Sequence, residues 1–290
     1  MGTTTPDPEV EITDDLVRRL IADQFPALAS RPTTLLASGW DNTMYRVGDD
    51  VLARLPRRQL GADLIASEQR WLPGLAAALP LPVPAPIHRG TPTDYYPWAW
   101  SIVPFAEGIA ADLTRLNDAE AIRLGAFLKA LHVPAPADAP ANAHRGVPLA
   151  NRLDAIEARM ASVGAATDLI TPVVAQALAT ALAAPAAARP TWVHGDLHPR
   201  NIVVHEGRLS AIIDWGDLCA GDGANDLAAF WMLFDDRHVR AAGLAAYGAT
   251  TDQIARARGW AVFFGTILAE VGLNDDPRFL AIGERTLRNL

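Results

Sequence analysis

The stretch WVHGDLHPRNIVVHEGRLSAIIDWGD, residues 192–217, limits the possible folds more than any other part of the chain. A short apolar run leads into a polar loop, and two further apolar runs meet at Glu206-Gly207. That pattern predicts strand, loop and tight hairpin. His194-x-Asp196 stands on the loop, Asn201 follows after four residues, and the hairpin ends in Asp214-Trp215-Gly216. Asp196, on a loop leaving a strand, can present an acceptor to a substrate hydroxyl. The hairpin brings Asn201 and Asp214 to neighbouring positions, where both can hold a hard cation such as magnesium.

The order, residue types and spacing match a kinase catalytic loop followed by a metal-binding triplet. Three other readings compete. The acids could merely cap turns between buried strands. His194, Asp196 and His198 could hold zinc, which would need a further ligand that no second cluster clearly supplies. A plain Gly-Asp turn leaves Asn201 and Asp214 unaccounted for. His132 and His205 read as surface or packing residues.

The rest of the chain supplies the setting. With 290 residues, 50% hydrophobic and 20% charged, it is long enough for one large domain or two lobes and too apolar for general disorder. Its 25 Lys+Arg against 33 Asp+Glu give a net charge of -8, which argues against a nucleic-acid partner. The only lysine is Lys129, so a mechanism requiring a catalytic lysine must use it. The single cysteine, Cys219, excludes an internal disulfide framework and suits a reducing cytoplasm. The start, MGTTTPDPEVEITDD, lacks a basic-then-apolar signal layout. No apolar run reaches about 18 residues free of charge and proline, so no membrane span is expected.

Residues 1–12 read as a loose leader, followed by a helix over Ile12–Phe25 capped by Thr13, with Leu16, Leu20 and Ile21 inward. Strands are expected at Thr34–Ala37, Met44–Val47 and Val51–Leu55, then a helix over Gln59–Leu79 interrupted near Pro73-Gly74. The proline-rich 79–87 segment reads as an extended connector, and strands near Ile87–Arg89 and Trp98–Val103 close a small antiparallel sheet. After Pro104 helices dominate. One runs over Asp118–His132 with Ile122, Phe127, Leu128 and Leu131 inward, two Ala-rich ones lie across 150–184, and further helices run from Gly223 to the end. The expected fold is therefore α+β and bilobal, with a β-sheet lobe over residues 1–104 and a helical lobe over residues 105–290.

HGDLHPRN followed by IIDWGDLCAGDGANDLA resembles the aminoglycoside phosphotransferase family of kinase-like enzymes, from about Leu35 to the C-terminal helices. The resemblance implies a protein-kinase-like fold with a nucleotide-binding first lobe and a catalytic and substrate-binding second lobe. It makes Asp196 the catalytic base and Asn201 and Asp214 the ligands of magnesium bridging nucleotide phosphates. Asp222 and Asp226 then support loop and helix, Asp226 at the opening of DLAAFWMLF, where an acid suits the helix dipole. Ser38, Gly39, Asn42 and Thr43 take the place of a phosphate-covering loop. Arg54, in VLARLPRR, replaces the usual phosphate-binding lysine, and that strand is similar to one in macrolide phosphotransferases. Glu68, fourteen residues on, is the candidate to orient Arg54, while Arg57 and Arg58 read as rim charges. Backbone groups around Ile102–Pro104 should meet the purine.

The implied reaction moves the γ-phosphate of ATP or GTP to a hydroxyl of a small molecule, an antibiotic such as an aminoglycoside. A macrolide, nucleoside antibiotic, sugar or amino alcohol, or a catalytically idle nucleotide-binding module, are the alternatives. Absence of room for an activation segment after Asp214 disfavours a protein kinase. Trp231, Asp235, Asp236, Trp260, Phe263, Glu270, Asp275 and Asp276 are the candidate substrate-lining groups, with core packing and solvated helix ends as the bland alternative.

Overall fold

The computed structural model describes residues 7–290. Half of the expected leader, residues 1–6, lies outside them. The remainder is not loose: Glu9 and Val10 donate backbone bonds to the Arg57 carbonyl at 2.8 and 3.2 Å, and the Tyr45 hydroxyl donates to Ile12 O at 3.3 Å. Helix α1 (Asp14–Gln24) starts where the Thr13 side chain accepts from Leu16 N, carries Asp14 and Asp15 in its first turn, and buries Val17, Leu20 and Ile21.

Five strands follow in an antiparallel sheet: β1 (Thr33–Ser38), β2 (Asn42–Val47), β3 (Val51–Pro56), β4 (His88–Gly90) and β5 (Trp100–Pro104), ordered β1-β2-β3-β5-β4. Strand β3 is central and mostly buried, and Arg54 lies opposite Met44 on one side and Ser101 on the other. Helix α2 (Gln59–Ala76) buries Ala62, Ile65, Glu68 and Leu72 at helical spacing. It runs through Pro73 without the expected interruption. An interior proline costs roughly 3 kcal/mol, and burial of Leu72 together with Trp71 packed on Trp192 at 5.2 Å offsets that cost.

Residues 79–87 form the expected irregular connector, but Leu81 and Val83 are buried, and Ile212 N donates to Pro82 O at 3.2 Å. Two hydrophobic cores result. One joins α1 to the sheet through Leu20, Tyr45, Leu55, Trp100 and Ile102. The other takes Leu72, Leu81 and Val83 into the helical part.

After the two-residue β6 (Ile109–Ala110), that part comprises α3 (Glu120–Leu131), α4 (Leu153–Ala166), α5 (Pro172–Ala183), α6 (Ala224–Leu227), α7 (Ala229–Leu233), α8 (Arg237–Tyr247), α9 (Thr251–Asn274) and α10 (Pro277–Arg288). Strand β7 (Thr191–Val193) pairs with β10 (Cys219–Gly221), and β8 (Ile202–His205) forms the expected hairpin with β9 (Arg208–Ile212). Glu206 and Gly207 both have positive φ, 50° and 76°, the geometry of a tight hairpin turn. Strands β6 and β10 were not anticipated, since two or three residues are too few for an alternating pattern. Ile122, expected inside α3, is exposed; the buried face is Ala121, Leu124, Phe127, Leu128 and Leu131.

Helices α3 and α8 cross closely because Gly125 and Gly243 face each other. A Cβ on Gly243 would collide with the Phe230 ring and lie 2.7 Å from the Ala121 carbonyl. Gly243→Ala should therefore lower unfolding stability by about 1–3 kcal/mol, measured by urea denaturation, whereas Gly248→Ala meets no atoms and acts only through its φ of 85°.

Candidate active site

The loop from His194 to Asn201 is held from below by one carboxylate. Asp226, fully buried in α6, accepts from His194 N at 2.7 Å and Gly195 N at 3.0 Å. His132 Nε2 approaches the same carboxylate at 3.2 Å, and its Nδ1 lies 2.9 Å from the Tyr247 hydroxyl. Asn225 Nδ2 donates to Gly195 O at 2.9 Å. Asp226 thus does not serve the dipole of its own helix, as expected from its position; its carboxylate crosses to the loop. His132 is likewise a buried polar anchor and not a surface residue. Gly195 has φ 88°, and a Cβ there would sit 2.7 Å from Asp217 O, so the sharp turn admits only glycine. Burial pushes the Asp226 carboxyl up, but His132, His194 and the Gly195 amide outweigh it and leave it below its ordinary value.

His194 ties the loop to the hairpin. Its Nδ1 accepts from Asp196 N at 3.3 Å, its Nε2 donates to Ile213 O at 3.0 Å, and its ring meets Trp215 edge-on at 4.8 Å. Both nitrogens are occupied, which removes His194 from a zinc set, and His198 Nδ1 accepts from Arg200 N at 3.2 Å. Asn201 Nδ2 donates to Asp196 O at 2.9 Å, while Asn201 O accepts from Ile213 N at 2.9 Å. Asn201 and Asp214 therefore stand side by side at the open end of β8–β9. Asp214 is exposed and has φ 61°, a turn that lifts its carboxylate away from the strand line.

One exposed carboxylate beside an amide oxygen suits magnesium, which is usually held by one or two protein oxygens and completed by phosphate and water. Among the described residues no group of three or more His, Cys, Asp or Glu could hold a metal ion.

Asp196 has a partner that sequence reasoning missed. Arg145 Nη2 donates to Asp196 Oδ1 at 2.8 Å, and His198 Nε2 lies 3.5 Å from Oδ2. Burial raises the Asp196 pKa, but Arg145, His198 and His194 overcome it and hold the carboxyl well below the usual range. Arg145 belongs to the proline-rich loop between α3 and α4. Asn142 shapes that loop by accepting from His144 N and Arg145 N at 2.8 and 3.1 Å and donating to Asp217 Oδ1 at 2.7 Å. Asp222, as the resemblance implies, is structural: it accepts from Arg256 at 2.6 and 3.3 Å.

On the sheet side, Arg54 and Glu68 form a buried bidentate pair at 2.6 and 3.1 Å. Burial opposes the Arg54 charge, but Glu68 and then Asp214 reverse that and raise its pKa. Ser38 and Thr43 hydroxyls are 3.2 Å apart, and Gly39 N donates to Asn42 O at 2.9 Å. The Asn42 side-chain oxygen is buried without a partner. Arg57 and Arg58 are not rim charges: they donate to Gly39 O at 2.9 Å and to Asp41 Oδ1 at 2.5 Å, fastening the loop to the sheet edge. Ile102 is completely buried and its carbonyl accepts from Ile87 N at 2.9 Å, while Pro104, at the end of β5, is exposed.

The candidate substrate residues fare differently. Trp260 and Phe263 are 1% exposed and belong to the helical core. Trp231, at 5%, presents only an edge to a separate cavity of about 430 Å³ shared with Arg237, Arg240, Leu244, Arg258 and Leu290. Asp235 is held by Arg285 at 2.6 Å, Asp236 caps α8 through His238 N at 2.6 Å, and Glu270 faces Arg159 at 3.5 Å. Asp276 pairs with Arg200 at 2.7 Å and caps α10, and Asp275 is exposed at the end of α9. Helix ends and core packing account for most of these positions.

The antiparallel sheet, the helical lobe and the loop-hairpin site together define a kinase-like small-molecule phosphotransferase fold. The model of the phosphotransferase enzyme family matches residues 32–260, and the chain belongs to that family. The GDP complex of aminoglycoside 2'-phosphotransferase-IIIa is similar with a TM-score of 0.65 and 21% identity, over 96% of this chain and 99% of that one. The apoenzyme of macrolide 2'-phosphotransferase MphH from Brachybacterium faecium gives 0.59 and 22% identity, over 93% and 96%. The ADP-bound aminoglycoside phosphotransferase APH(2'')-Ib gives 0.61 and 17% identity, over 96% and 98%. No curated protein sequence matches this one. No helix among the described residues is long and apolar enough to cross a membrane.

Two outcomes follow from the buried charges. Asp226→Asn puts an N–H group against the loop amides and should cost about 3–5 kcal/mol. Because the folded carboxyl lies below 3.8, its stabilisation is complete above that pH and declines as pH falls through the folded value; acid unfolding curves of the variant should lack this component. Glu68→Ala strands the Arg54 charge and should cost about 3–5 kcal/mol, while the double variant Glu68→Leu with Arg54→Met should recover much of it in a double-mutant cycle.

Proposed function

We propose that the protein transfers the γ-phosphate of a purine nucleoside triphosphate to a hydroxyl of a small molecule. The observation that carries the reading is the convergence of Asp196, Asn201 and Asp214 on the open end of one hairpin, with the Arg54–Glu68 pair facing them from the sheet. Asp196, anionic at neutral pH, orients the acceptor hydroxyl and takes its proton. The hydroxyl oxygen bonds to the γ-phosphorus as the bond to the β–γ bridging oxygen breaks, and the nucleoside diphosphate leaves with that electron pair. Asn201 and Asp214 would hold magnesium, which would supply charge neutralisation at the phosphates. Arg54, fixed by Glu68, and the loop amides and hydroxyls of Ser38, Gly39, Asn42 and Thr43 position those phosphates. Residues 1–104 serve as the nucleotide lobe and 105–290 as the catalytic and acceptor lobe, and the nucleotide requirement fits a cytoplasmic setting.

The GDP- and ADP-bound neighbours support a purine diphosphate product. Kanamycin and gentamicin complexes among the neighbours support an antibiotic hydroxyl as acceptor. An aminoglycoside's ammonium groups would need free carboxylates, however, and Asp235, Asp236, Glu270 and Asp276 all have partners of their own. A less cationic hydroxyl compound fits the site better.

Transfer of labelled γ-phosphate from ATP and GTP, with magnesium, across aminoglycosides, macrolides, nucleoside antibiotics and sugars tests the proposal. Asp196→Ala should reduce turnover about 100- to 10,000-fold while nucleotide binding persists; unchanged turnover rejects the assignment.

A further inference from the structure

The wall beside Asp196 is built from arginines. Arg145 precedes a short 3-10 turn over Leu149–Arg152, which ends in Arg152, and Arg159 lies two helical turns further along α4. Their guanidinium carbons sit 5.8, 5.5 and 5.7 Å from the centroid of one ring, that of Phe263 in α9. Arg145 is also 5.3 Å from the Phe264 ring. The flat aromatic floor brings three like charges together, and each gains some cation–π attraction in return.

Two of the three have carboxylate partners. Arg145 is bound to Asp196 at 2.8 Å and lies 3.4 Å from Asp217, and Arg159 faces Glu270 at 3.5 Å. Arg152 forms no ion pair among the described residues. Its Nη1 donates to His144 Nδ1 at 3.3 Å, and its Nε is buried with no partner. A buried cationic N–H without an acceptor is unfavourable, and an oxyanion is the group that satisfies it best. The crowding is felt at Arg159, whose pKa is lowered by burial first and then by Arg152 and Arg145, against the pull of Glu270.

We infer that the acceptor carries an oxyanion, a carboxylate or a phosphate, which docks on Arg152 beside Arg145 while its hydroxyl faces Asp196. The inference rests on the phosphotransferase reading of that aspartate. An ammonium group entering here meets, at Arg152, a guanidinium that no carboxylate of the described residues neutralises. His144 Nδ1, at 3.3 Å, is the only hydrogen-bond acceptor that Arg152 finds among the described residues.

The test uses the full chain saturated with magnesium and ADP, so that the nucleotide's own phosphates are already placed. Glucose, gluconate, glucose 6-phosphate and glucosamine share a hydroxyl-rich frame and differ in charge, and their binding is measured by calorimetric titration. At least one anionic member should bind roughly ten- to hundredfold more tightly than glucose, with glucosamine weakest. Gluconate against glucose 6-phosphate distinguishes a carboxylate from a phosphate. Arg152→Gln should erase the preference and Arg152→Lys should retain most of it, with thermal unfolding confirming that both variants are folded. Equal affinities, no anion-dependent heat, tighter binding of glucosamine or kanamycin, or a preference that survives Arg152→Gln would each overturn the inference. The phosphotransferase reading fails separately: an anion-selective site in a protein that never transfers phosphate defeats that reading and leaves Arg152 as an anion site.

Discussion

The site depends on a single buried carboxylate. Asp226 has no water contact, and its two oxygens satisfy two consecutive loop amides and a histidine that would otherwise be stranded in the core. Burying such a charge is tolerable only with several donors in good geometry, and here backbone, His132 and the adjacent Asn225 supply them. The consequence is functional. His194 and Gly195 are held in the conformation that turns Asp196 outward, and His194 then reaches across to Ile213 and sets the start of the Asp214 turn. The Asp196 and Asp214 carboxylates are therefore positioned by the same anchor, though they lie eighteen positions apart in the chain.

A second buried charge serves the opposite wall. Arg54 replaces a lysine without loss of charge, but its planar fork needs a matching carboxylate, and Glu68 supplies one from the inward face of α2. Arg57 and Arg58, three and four residues further on, tie down the loop ahead of β2. In a chain with one lysine, arginines fill positional roles throughout: each forms several directed hydrogen bonds, so it organises carbonyls and carboxylates over longer reach than an ammonium group does.

How much was legible from the residues varies with the range of the interaction. The α1 cap at Thr13, the β2 and β3 strands around Gly48, and the Glu206-Gly207 hairpin depend on neighbours a few positions away, and their signals were plain. Asn201 and Asp214 lie at the two ends of one hairpin, tied by the Ile213 N to Asn201 O bond, and a hairpin is itself a local object. Pro73 misled because packing of Leu72 and Trp71 outweighs the local penalty. Ile122 misled because α3 rotates its face toward α8 at the Gly125–Gly243 crossing, which no single-helix pattern encodes.

By itself the sequence determined the chemistry on offer: an acid on a loop, two oxygen ligands on a hairpin, an arginine on a central strand and an acid one helix later. Those assignments follow from short spacings and residue types, which survive any arrangement of the rest. Only the tertiary structure decided which charges are free. Asp235, Asp236, Glu270 and Asp276 looked available and are engaged, whereas Arg145, which no local pattern singled out, stands against Asp196. A side chain's partner is chosen by packing between elements distant in the chain, and that information is absent from any local pattern.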